Sequence, residues 1–167
     1  DAYARWLARP KMRQAPSQLR ADNRSQLPYM KNFTNADYLA AQQGVPVQQR
    51  FVRALRDAGA RLLLGTDLGA FAVSEELSLL SEAGLSPYEA LRAGTRDAAE
   101  FLGQLDEWRT LAAGRRADLV LLDANPLADV TNANRRSGVM LRGRWLPNAE
   151  IAKLLDEVPA GVKSQEP

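Results

Sequence analysis

The stretch that most constrains the fold is Arg61-Leu62-Leu63-Leu64-Gly65, a run of consecutive apolar residues that ends in Thr66-Asp67-Leu68-Gly69. A strand with one wet face alternates apolar and polar residues. A strand covered on both faces reads as a continuous apolar run, as in parallel sheets flanked by helices. The flanks agree with this. Upstream, Val47, Phe51 and Leu55 repeat every four residues with Val52 and Ala58 beside them, and Gly59 closes the run, which is the pattern of a helix with a glycine stop. Downstream come three short helices. Ser74 is placed to cap the first, with Glu75 and Glu76 in its first turn, where the helix dipole favours negative charge. Ser86-Pro87-Tyr88-Glu89 has the form of a capping box with proline at the first helical position. Thr95 is placed to cap a third helix that buries Ala98, Phe101 and Leu102.

The chain then changes character. Asp118-Leu119-Val120-Leu121-Leu122-Asp123 reads as a buried strand bounded by charges, and neither aspartate has an evident partner. Val139–Leu146 reads as two short strands around Gly143, and a last helix is expected at Ala149–Glu157. The first 49 residues are polar, with a short amphipathic helix suggested by Tyr3, Trp6 and Leu7 and connections broken by Pro10, Pro16 and Pro28. A helix–strand–helix unit followed by a small β section suits the closing turn of an α/β barrel.

Composition limits the chemistry more sharply than the fold. The 167 residues include no histidine and no cysteine. Disulfides, thiolate nucleophiles, His-containing triads and His- or Cys-based metal sites within the chain are thereby excluded. The compartment stays open. No apolar run approaches the roughly 20 residues that span a bilayer, so no membrane partner is expected. Residues 1–31 carry seven basic residues against Asp1 and Asp22. Such an arm can bind nucleic acid, but no aromatic interleaving or nucleic-acid module accompanies it, and a solvated face explains it better.

In an α/β barrel the functional residues gather at the C-terminal ends of the strands. Asp67 sits at such a place. A carboxylate there can bind a metal through oxygen or take a proton from a metal-bound water. It can equally form an Asx turn that satisfies nearby amides, and position alone favours that plainer role. Ser74 has no histidine to activate it, and Gly114-Arg115-Arg116 reads as well as a turn as an anion site.

Several segments together resemble a known family. Leu62–Asp67 (LLLGTD), Glu75–Leu77 (EEL), Glu82–Leu85 (EAGL), Pro87–Leu91 (PYEAL) and Thr95–Gly103 (TRDAAEFLG) look like the end of the amidohydrolase superfamily barrel. Gly114–Asp123 (GRRADLVLLD), Asn125-Pro126-Leu127 and Arg142-Gly143-Arg144 continue the match. The resemblance is to the imidazolonepropionase- and prolidase-like branch and covers about residues 50–147.

This resemblance implies the C-terminal end of a TIM-like (β/α)8 barrel followed by part of a small β-sandwich. Residues 1–104 would belong to the barrel, 105–147 would be strands returning to the sandwich, and 148–167 would form a helix and tail. It implies hydrolysis of amide, cyclic amide or dipeptide C–N bonds on a small-molecule substrate. The cofactor would be a divalent metal, zinc or a similar ion, with Asp67 as metal ligand and proton shuttle. The chain departs from the family pattern in lacking the histidine ligands, and in a short Leu68–Val73 loop with Ser74 where relatives often have histidine. Alone it is therefore expected to be inactive, to need the rest of the barrel, and to associate through exposed strand edges. The competing reading is a non-catalytic degenerate relative or binding module.

Overall fold

The computed structural model describes residue 8 and residues 32–67, 72–107 and 111–161, without the side chains of Tyr38 and of residues 158–161. The expected helix at Tyr3–Leu7, the three early prolines and the basic arm lie outside the described residues. The chain divides into two compact units, Asp1–Val47 with Ala152–Pro167, and Gln48–Ile151. In the first, the described residues are mainly the opening half of helix α1 (Asn35–Asp57) and the closing half of helix α5 (Asn148–Gly161). Helix α1 starts earlier than the apolar spacing suggested, and Pro46 lies within it. Its start is fixed by Thr34 and Asp37: the Thr34 amide donates to the Asp37 carboxylate at 2.7 Å, and the Asp37 amide donates back to the Thr34 hydroxyl at 3.3 Å.

The second unit holds the core. After α1 ends, Gly59 takes a left-handed φ of +78° and its amide donates to the Arg56 carbonyl. This is the glycine stop expected from the sequence. Helices α2 (Val73–Glu82), α3 (Pro87–Ala93) and α4 (Arg96–Phe101) follow. The core consists of Leu77, Leu80, Leu85, Ala90, Ala93 and Val130, with Val52, Leu62, Leu64 and Leu91 packed against it. Arginines from the end of α1 bind the end of α2. Arg53 Nε donates to the Ala83 carbonyl at 3.0 Å, and Arg56 Nη1 donates to the Gly84 carbonyl. Cations there satisfy the last carbonyls and complement the helix dipole.

The capping box at α3 forms as its residues require. The Ser86 amide donates to Glu89 Oε2 at 2.7 Å, and the Glu89 amide donates to Ser86 Oγ at 3.3 Å. The other two caps differ from expectation. Helix α2 begins two residues earlier, with Ala72 in the capping position and no side-chain cap. Thr95 precedes α4, but its hydroxyl donates back to the Leu91 carbonyl at 2.7 Å instead of capping. The face that α4 buries also differs. Asp97 and Ala99 are buried, whereas Phe101 is 67% exposed and Leu102 is exposed too. Asp97 is held by Arg92, whose Nε donates to both carboxylate oxygens at 2.8 and 3.0 Å. The same guanidinium lies 5.9 Å from the Tyr88 ring centroid.

Strands β1 (Leu119–Leu122), β2 (Arg136–Leu141) and β3 (Arg144–Pro147) form an antiparallel sheet in the order β1-β2-β3. The register sets Leu119 beside Met140 and Trp145 on one face, and Val120 beside Val139 and Leu146 on the other. Both faces are apolar. Val120 is nevertheless 51% exposed, so β1 is not the buried strand that its composition suggests. The β2–β3 turn carries φ of +48° at Arg142 and +82° at Gly143. Two left-handed central residues match the right-handed twist of the flanking strands.

Asp118 and Asp123, for which the sequence showed no evident partner, both have one. The Asp118 carboxylate accepts the Arg142 amide at 2.6 Å and pairs with Arg116, while the Gly143 amide donates to the Ala117 carbonyl at 3.0 Å. The Ser137 hydroxyl donates to the Asp123 carboxylate, and the Asp123 amide donates to the Arg135 carbonyl at 2.8 Å. The two aspartates therefore staple the ends of β1 to its neighbours. The Arg142 amide, with Arg116 beside it, holds the Asp118 carboxyl below the usual carboxylate range.

A pH dependence follows from Asp118. A carboxyl with a lowered folded pKa stabilises the fold fully above its unfolded value, and that contribution fades as pH falls through the folded value. Thermal unfolding followed by circular dichroism is expected to show a fall in Tm below roughly pH 4. Asp118→Asn is expected to flatten that part of the curve and to lower Tm at neutral pH. An unchanged acid limb in the variant would refute the staple.

Candidate functional site

Residues 61–67 lie between α1 and α2 in sequence, and their burial alternates. Leu62, Leu64 and Thr66 are half-buried, while Arg61, Leu63, Gly65 and Asp67 are exposed. The inward residues meet the helices. Leu62 and Leu64 pack on the core, and the Leu64 amide donates to the Ala93 carbonyl at 3.2 Å. Arg61 pairs with Glu100 at 3.3 Å. Among the described residues the segment has no ladder partner, so it is not the paired parallel strand that its sequence suggests. A strand's period of two nevertheless survives. Leu63, Gly65 and Asp67 fall on the exposed side.

Asp67 ends this segment with φ of +50°. Left-handed backbone disfavours most residues that carry a Cβ, and aspartate is among the few that enter it readily. Such conformations persist where the surroundings fix them and recur at functional turns. Residues 68–71, which follow, lie outside the described residues.

Sequence reasoning gave Glu75 and Glu76 only a role at a helix N-terminus. They do lie in the first turn of α2. Glu76 has a further relation that the spacing did not reveal. Its carboxyl is shifted above the usual range, first by burial and then by the negative charge of Asp67. The chain thus brings Asp67 and Glu76, nine positions apart in sequence, within electrostatic reach of each other. Ser74, at the start of the same helix, is half-buried. Arg115 is paired with Asp106 at 2.9 Å, as a turn residue would be.

These residues do not compose a metal site by themselves. The sequence has no histidine or cysteine, and among the described residues no three acidic side chains are grouped so as to hold a metal ion. A catalytic zinc generally takes three protein ligands, and Asp67 offers one. No helix among the described residues is long and apolar enough to cross a membrane.

Comparison with known proteins fits this geometry. The model of the amidohydrolase family matches residues 28–146, a span that includes Asp67, Glu76 and the three-stranded sheet except Pro147. The imidazolonepropionase of Rubrobacter xylanophilus is 46% identical over 78 residues, covering 43% of this chain and 19% of that protein. Among solved structures, bottromycin amidohydrolase superposes with a TM-score of 0.65 at 29% identity, covering 92% of this chain and 36% of that one. A candidate prolidase from Bifidobacterium longum superposes with a TM-score of 0.60 at 32% identity, covering 78% and 35%. The chain spans about a fifth of the length of the curated relatives it matches. The order of segments, the placement of Asp67 after the apolar run and the matched span agree: the chain belongs to the amidohydrolase family.

Proposed function

We propose that the chain is the C-terminal part of a metal-dependent hydrolase that breaks C–N bonds in amides, cyclic amides or dipeptides, and that Asp67 is its acid–base residue. The observation that carries this reading is the position of Asp67. It stands at the C-terminal end of the apolar segment 61–67, exposed and with a left-handed backbone. In barrel enzymes that is where catalytic groups sit. Asp67 contributes an oxygen ligand and carries a proton between the attacking water and the departing nitrogen. A divalent metal, when bound, makes water acidic enough to be deprotonated near neutral pH. The histidines that complete its ligand set come from chain outside these 167 residues. The relatives' names, an imidazolonepropionase, a prolidase candidate and an amidohydrolase, support C–N bonds as the target class. Zinc is the metal this reading favours.

Metal removal tests the proposal. The polypeptide that contains this chain, dialysed against a chelator, is expected to lose essentially all hydrolysis of N-acyl amino acids, cyclic amides and dipeptides. Added zinc or another divalent ion is expected to restore it. Full activity in metal-free protein, measured beside its metal content, would overturn the metal-dependent reading.

A further inference from the structure

We draw no further inference here: the strongest candidate, the two-sided apolar surface of the three-stranded sheet around Val120, Leu121, Leu141 and Trp145, carries nothing because nothing in the structure shows what covers it.

Discussion

Asp67→Ala, made in the polypeptide that contains this chain, is expected to lower kcat by roughly 10³-fold or more. Positioned general acid–base catalysis contributes about 10²–10⁴-fold, and Asp67 is proposed to act at both ends of the proton path. Loss of a metal-ligating oxygen adds to that. Asp67→Asn separates the two roles, since the amide oxygen can still face a cation but cannot carry the proton. The variant is expected to retain metal better than Asp67→Ala while remaining as inactive. The backbone offers a control on folding. Asparagine, like aspartate, tolerates the left-handed φ of +50°, so Asp67→Asn is expected to melt at the wild-type temperature. If both variants kept wild-type kcat, Asp67 would be a turn residue, and the plainer Asx-turn reading would be right.

The largest stability effect is expected at Gly138. A Cβ built there would lie 2.4 and 2.6 Å from the Trp145 ring and 2.7 Å from the Leu146 carbonyl oxygen. Real Cβ atoms do not approach so closely, and one of these neighbours is backbone that cannot swing aside. Gly138 is also buried in the middle strand, where displacement disturbs both ladders. Overpacking typically costs about 1–3 kcal/mol, and Gly138→Val is expected at or above the top of that range. For a chain of this size the shift corresponds to a Tm lower by roughly 6–12 °C. Gly138→Val combined with Trp145→Ala removes the ring but not the Leu146 carbonyl. The double variant is therefore expected to recover only part of the loss, a coupling that a double-mutant cycle resolves. A Gly138→Val protein as stable as wild type would show that Trp145 does not lie over this glycine in solution.

What the sequence made legible was mostly local. The Ser86–Glu89 box, the Gly59 stop and the hairpin at Arg142-Gly143 depend on atoms within about four residues of each other, and all three form as their residues require. Long-range relations were hidden for a matching reason. Asp118 meets an amide 24 positions away and Asp123 a hydroxyl 14 positions away, so neither partner could be read from the neighbourhood. Apolar periodicity had a different weakness. It marks residues that favour cover without naming what covers them. Val52 in α1 meets the core, whereas Phe51 beside it is 65% exposed. In α4 the small Ala99 is buried while Phe101 is not, reversing the ranking that side-chain size suggests. For the candidate site, the apolar run located Asp67, because a strand end is a local feature. The electrostatic relation of Glu76 to Asp67 spans nine positions, and no spacing rule encodes it.

The most direct test is to read the polypeptide in which these residues are translated, upstream of Asp1. The expected sequence holds a His-x-His pair after an apolar strand and two later histidines at strand ends. These would supply the ligands that the 167 residues lack. A start codon immediately upstream, or an upstream barrel without those histidines, would contradict the catalytic reading. It would leave Asp67 as a turn residue in a degenerate relative or a binding module.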